Sequence, residues 1–160
     1  MSTRYNSLRY DDRFILKVSP LLWLAIFYSM RHFMLFLFVS LTQSAELMGS
    51  FADVVDLRLM VSDTLALLVL FAYFSRLGKN PGALFRRLWH GGRWLLLAAT
   101  ALNTVLVPLL LWKKIAELDL VLLTLLELNV VVMLYLARST LVRDIFADFP
   151  AAAEEPAKSP

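Results

Sequence analysis

The stretch at 94–112, WLLLAATALNTVLVPLLLW, runs for 19 residues without an Asp, Glu, Lys or Arg. At ~1.5 Å of rise per residue, a helix of that length crosses the ~30 Å hydrocarbon core of a bilayer. Its terminal tryptophans suit the two membrane–water interfaces. Working outward, three further stretches meet the same length requirement. One lies at 20–41, interrupted by Arg31 and His32. A second lies at 57–74, with Asp63 near its start, and the last at 118–136, containing Glu127 and Asn129.

Composition supports this reading. Residues of the set AVILMFWYC make up 59% of the 160, and charged residues only 18%; mean hydropathy is +0.67. Soluble domains run nearer ~45–50% apolar and ~25% charged. A chain this short leaves much of its surface exposed, so the excess has no aqueous hiding place. The expected fold is all-α: a polytopic bundle of four transmembrane helices. Disorder, a disulfide-stapled scaffold (there is no cysteine) and an ordinary soluble nucleic-acid binder are excluded. The first stretch follows a long charged leader, and neither Tyr28-Ser29-Met30 nor Gln43-Ser44-Ala45 makes a small-x-small cleavage site. It reads as an uncleaved anchor.

Basic residues set the orientation. Arg4, Arg9, Arg13 and Lys17 precede the first span. Arg76, Lys79, Arg86, Arg87 and Arg93 lie between spans two and three, and Arg138, Arg143 and Lys158 follow the fourth. The alternate side holds Arg58, Lys113 and Lys114. Twelve against three predicts both termini in the cytoplasm. Trp23, Tyr73, Trp94 and Tyr135 fall near the cytoplasmic span ends, and Trp112 near an outer one.

Between the spans, Asn80-Pro81 has the form of a helix start, and 83–90 reads as a short interfacial helix ended by Gly91-Gly92. Leu84, Phe85 and Leu88 fall to one side of it. Arg86, Arg87 and Arg93 form a lipid-facing basic loop, read either as a dock for anionic head groups or as an ordinary topology-determining loop. The outer loop at 42–56 carries Glu46, Asp53 and Asp56, with Leu47, Phe51, Val54 and Val55 at helical spacing. It suits an amphipathic surface segment with a solvated acidic face. The short turn at 113–117 makes spans three and four a hairpin. The segment 1–19 and the tail 137–160 are assigned to the cytoplasm, with disorder from about 150. No internal repeat supports an inverted-repeat transporter.

Polar residues at bilayer depth are the main functional clue, since a charge at a helix centre costs ~2.5–3.5 kcal/mol on insertion scales. Counting along continuous helices places Arg31, Asn103 and Glu127 near the midplane. The expectation is an intramembrane Arg31–Glu127 pair, with Asn103 sharing a hydrogen bond and Tyr28, Ser29 and His32 completing a polar patch. Thr100, Thr104 and Pro108 mark a packing stripe on span three. Glu127 and Asn129 point to nearly opposite sides of span four, which leaves Asn129 to face a second copy or another subunit. Asp63, counted from the outer end of its span, reaches water or Arg58. The cluster has two readings: a structural pair that fixes helix register, or a proton or cation site built on Glu127 and His32. No catalytic motif, metal-ligand set or cofactor loop is present, so an enzyme is not expected.

The segments 10–24 (YDDRFILKVSPLLWL) and 86–95 (RRLWHGGRWL), with Arg31 between them, resemble the YfeZ-like family of uncharacterised inner-membrane proteins of Gram-negative bacteria. The resemblance covers roughly 10–136. It implies a four-span protein of the bacterial inner membrane with no established activity. The role expected is a non-enzymatic accessory or scaffold subunit held by the Arg31–Glu127 pair. Its partners would be the bilayer, anionic head groups, and further copies or other membrane subunits, with no nucleic acid. The alternative is a small proton-linked carrier of cationic solutes using Glu127.

Overall fold

Ser19 and Pro20 open the first helix as the sequence chemistry requires: Ser19 Oγ accepts from the Leu22 amide at 3.2 Å, and Pro20 occupies the first turn. The computed structural model describes residues 10, 16–42, 57–78, 82–110, 112 and 120–149. Among these are seven helices: α1 (Pro20–Ser29), α2 (Arg31–Thr42), α3 (Leu57–Leu77), α4 (Ala83–His90), α5 (Gly92–Leu110), α6 (Leu120–Arg138) and α7 (Thr140–Ala147). An isolated antiparallel bridge pairs Tyr10 with Leu16. Helices α3, α5 and α6 are each long and apolar enough to cross a membrane, and α1 with α2 makes a fourth span if the bent pair counts as one.

The first span therefore departs from expectation. It is not one helix but two, meeting at 69° around Met30. No proline or glycine causes the break. Instead Met30 turns with φ −105° and ψ 13°, its amide donating to the Phe27 carbonyl at 3.1 Å. The Met30 carbonyl then starts α2 by accepting from the Met34 amide at 3.0 Å. A break frees backbone groups at both new ends, and in an apolar interior each must find a partner.

α5 is the central helix, packed on α3 and α6 and touched by α1. Two apolar clusters flank a polar layer. The larger gathers Leu22, Ile26, Val69, Trp89, Leu96, Leu136 and Phe146 at the end where α1 begins; the smaller is Leu59, Val107 and Leu122 at the other. Thr100 of the predicted stripe is buried between them, its hydroxyl bonded back to the Leu96 carbonyl at 3.0 Å. Thr104 likewise bonds the Thr100 carbonyl at 2.8 Å.

The short helix at 83–90 forms as expected, but Gly82 is its N-cap and supplies no side-chain cap. Its apolar side is also not the predicted one. Leu84 is exposed, Phe85 and Leu88 are partly covered, and Trp89 is fully buried. Trp89 is covered by α7, a helix within the segment assigned above to the cytoplasmic tail. Ser139 caps α7 by accepting from the Val142 amide at 3.3 Å, and Val142, Ile145 and Phe146 face inward. Trp89 Nε1 donates to the carbonyls of Ile145 at 3.0 Å and Asp148 at 3.1 Å. His90 Nδ1 lies 3.0 Å from the Phe146 carbonyl. An aromatic run, Trp23–Tyr73 at 4.7 Å, Tyr73–Trp89 at 6.1 Å and Trp89–Phe146 at 4.8 Å between ring centres, ties α1, α3, α4 and α7 together.

Asp148 closes the same end. It accepts from the Leu16 amide at 2.6 Å and lies 3.7 Å from Arg76, whose guanidinium also donates to the Leu16 carbonyl at 3.2 Å. The phenol of Tyr135 shares a hydrogen bond with Ser19 at 3.4 Å. Gly92 permits α7 to lie this close, since a Cβ at that position would overlap the Phe146 ring. Gly92→Ala is therefore expected to destabilise the fold by about 1–3 kcal/mol through overpacking, read as a drop in the detergent melting temperature. The loop at 43–56, the cap at Asn80-Pro81, the turn at 113–117 and the tail beyond 149 lie outside the described residues.

Candidate functional site

Halfway along the helices the polar side chains of α2, α3, α5 and α6 converge on Asn103. It is 2% exposed, and its carboxamide uses all its hydrogen-bonding positions. Nδ2 donates to Ser62 Oγ at 3.3 Å and faces His32 Nε2 at 3.5 Å. Oδ1 accepts from Asn129 Nδ2 at 2.9 Å and from the guanidinium of Arg31. Such a hub demands one arrangement of its neighbours. Slipping any helix by one residue would remove a buried partner, and a buried polar group without one is costly.

Asp63, on α3, is 1% exposed and supplies the negative charge. Its Oδ2 accepts from the backbone amide of Phe33 at 2.8 Å, and its Oδ1 lies 2.9 Å from His32 Nδ1. Phe33 is the third residue of α2, so its amide is one of the donors that the break at Met30 releases. A carboxylate here also meets the positive end of the helix dipole. On the other side of the break, Arg31 Nη1 donates to the Tyr28 carbonyl at 3.1 Å, covering the last turn of α1. The two formal charges thus face the two helix ends that meet at the break. With Asn103 Nδ2 facing Nε2, a proton on Nδ1 would be directed at Asp63.

The predicted cluster is only partly what assembles. Tyr28, Arg31, His32 and Asn103 come together: the Tyr28 phenol donates to the Leu125 carbonyl at 2.7 Å, and its ring lies 4.3 Å beneath the Arg31 guanidinium. Glu127 does not join them. It is exposed on α6, and among the described residues no ion pair links it to Arg31. Asn129, expected to face a second copy, is fully buried and takes the inward place. The inward face of α6 is Leu122, Asn129 and Leu136, spaced by seven, and Glu127 lies on the opposite side. Asp63, expected to reach water or Arg58, is the buried anion.

The basic loop also divides. Arg87 is exposed. Arg86 is half-buried with its guanidinium 5.6 Å from the centre of the Phe149 ring. Arg93 turns inward: Nε donates to the Leu136 carbonyl at 2.9 Å and Nη2 to that of Ala137, capping α6. Of the three, only Arg87 keeps the outward posture of a lipid contact. Among the described residues no group of three His, Cys, Asp or Glu could hold a metal ion.

A family model described as "Protein of unknown function (DUF2919)" matches residues 5–148. The chain belongs to the DUF2919 family. The match takes in the whole polar layer and extends to Asp148, which ties the C-terminal end to Leu16. No curated protein and no solved structure matches the chain.

Proposed function

We propose that this DUF2919 member is a multi-pass protein of the bacterial inner membrane, non-enzymatic, with both termini in the cytoplasm, serving as an accessory or scaffold subunit. The observation that carries the reading is that Asn103 and Asp63, at the heart of the polar layer, are satisfied within the chain, while Arg31 Nε and Asn129 Oδ1 are, among the described residues, the buried atoms of that layer without a hydrogen-bond partner. Asn103 is bonded on every side and Asp63 is taken up by an amide and an imidazole, which leaves these groups engaged with their own chain. Such a layer fixes helix register, as buried polar groups do in other bundles. The surplus of Lys and Arg on one side favours the orientation, and the YfeZ-like resemblance favours the compartment. Arg87, exposed beside that end, is the residue best suited to anionic head groups.

A second reading rests on one specific feature. Broken helices are an arrangement on which secondary transporters build substrate and ion sites, and here the break carries a buried His32–Asp63 pair that could exchange a proton. Proton-linked transport would then run through Asp63 and His32 rather than Glu127. The two readings separate in vesicles of phosphatidylethanolamine and phosphatidylglycerol containing the purified chain and a pH-sensitive dye. Under an imposed pH gradient, the scaffold reading expects proton flux no greater than in empty vesicles, with Asp63→Asn altering melting temperature alone. Flux that Asp63→Asn abolishes while the folded yield is unchanged would overturn it.

A further inference from the structure

The outward face of α6 is apolar apart from Thr124 and Glu127 over most of its length. Glu127 stands seven residues from Leu120 and eleven from Arg138, roughly 10 and 16 Å from the two helix ends. Thr124 has its hydroxyl bonded to the Leu120 carbonyl at 2.8 Å, so it is not the partner of the carboxyl. Leu120, Thr124, Glu127, Val131 and Leu134 are all exposed, and the intervals between them are four, three, four and three. That alternation is the a/d spacing of a helix that packs by knobs into holes, and two copies inserted the same way into a membrane set their α6 helices parallel. It is separate from the inward face through Asn129, so α6 carries two seams and the fold uses one.

We propose that α6 pairs with α6 of a second copy of this chain along the outward seam, with the two Glu127 carboxyls hydrogen-bonded at its centre. The inference deepens the scaffold reading and rests on its placement of α6 in a membrane. The chemistry selects a second copy. In a parallel a/d seam each residue meets its own counterpart at the same depth. A carboxyl is self-complementary there, because a protonated one presents a donor and an acceptor and a carboxylate accepts. Two copies sharing a proton satisfy each other without a basic partner. The basic group at that level of the fold, Arg31, is turned inward to Asn103 and the Tyr28 carbonyl. In hydrocarbon, polar side chains of this kind hold helices together while the apolar residues beside them supply packing.

The absence of cysteine makes the test direct. Thr124→Cys, Val131→Cys and Leu134→Cys are introduced singly into the full chain and oxidised in native membranes. Val61→Cys on α3 and Val105→Cys on α5, both highly exposed, serve as controls. Cross-linked dimer is expected at the seam positions and not at the controls. Glu127→Leu in the Val131→Cys background is expected to reduce the dimer several-fold with unchanged melting of the monomer fold. Glu127→Gln, which keeps a donor and an acceptor, is expected to restore it. Equal cross-linking at seam and control positions would overturn the proposal. So would a dimer indifferent to Glu127→Leu, or a seam adduct whose mass is that of another protein. A folded monomer would sink the pairing alone, whereas proton flux in vesicles would sink the scaffold reading.

Discussion

Asp63→Ala is expected to destabilise the protein more than any other single substitution in the polar layer, by about 3–5 kcal/mol if the layer behaves as buried charge pairs do when one partner is lost. Three consequences combine. The Phe33 amide loses its acceptor, His32 loses the group that orients its ring, and the first turn of α2 loses a negative charge at its positive end. None is replaced by water, because Asp63 and His32 are both almost completely buried. Asp63→Asn keeps the shape and an acceptor oxygen, so a smaller loss is expected. Chemical or thermal unfolding in mild detergent, followed by circular dichroism, measures both.

Asn103→Leu is the second large effect. Leucine keeps the branched shape and the number of heavy atoms but is bulkier, so mild overpacking adds to the loss of the hydrogen bonds. Four contacts go: to Ser62, His32, Asn129 and Arg31. Interhelical hydrogen bonds in membrane proteins average only ~0.6 kcal/mol each, so a neutral hub would account for roughly 2–3 kcal/mol. The loss should sit at or above the top of that range, because Arg31 keeps its charge while giving up a buried acceptor. Glu127→Leu supplies the contrast. Its carboxyl touches none of these groups, and the unfolding free energy of the monomer is expected to stay within about 0.5 kcal/mol of the parent, as surface changes do. An order of Asp63, then Asn103, then Glu127 is thus fixed by the geometry. An intramembrane Arg31–Glu127 pair would have put Glu127 at the top.

Why that pair was legible in the sequence and wrong is instructive. The four apolar stretches could be read from length and hydropathy, and the helix limits differ from them by only a few residues. The opposition of Glu127 and Asn129 on α6 was also correct, since two positions along a helix are about 200° apart. What failed was the choice of which one faces inward. Charge sign favoured Glu127 as partner of Arg31, whereas the neutral Asn103 amide and the Tyr28 carbonyl engage the guanidinium instead. Asp63 was misjudged because its depth was counted from the outer end of its helix. Counted from the other end, it lies 14 residues from Leu77, and Phe33 lies 13 beyond Pro20. Those matching levels bring the carboxylate to the amide.

The break at Met30 left no mark of its own. Tyr28-Ser29-Met30-Arg31-His32 contains neither proline nor glycine, and the turn persists because groups distant in sequence cap it. Helix α7, by contrast, was within reach. Ser139 before Thr140, followed by Val142, Ile145 and Phe146 at helical spacing, is a capped amphipathic turn. Its apolar side is short, and only the burial of Trp89 shows how much it covers.

Arg31 and Asp63 cap the helix ends at the break, and the Phe33 amide reports on this directly. In a continuous helix that amide would bond the Ser29 carbonyl, four residues back, and Asp63 would not matter to it. The decisive measurement is the amide nitrogen–proton spectrum of the labelled protein in detergent, compared between the parent and Asp63→Ala, which removes the acceptor. The account predicts a large displacement of the Phe33 resonance and faster hydrogen exchange there. The Met34 amide, bonded to the Met30 carbonyl, should stay close to its original position. A Phe33 resonance that neither moves nor loses protection in the folded variant would contradict the account.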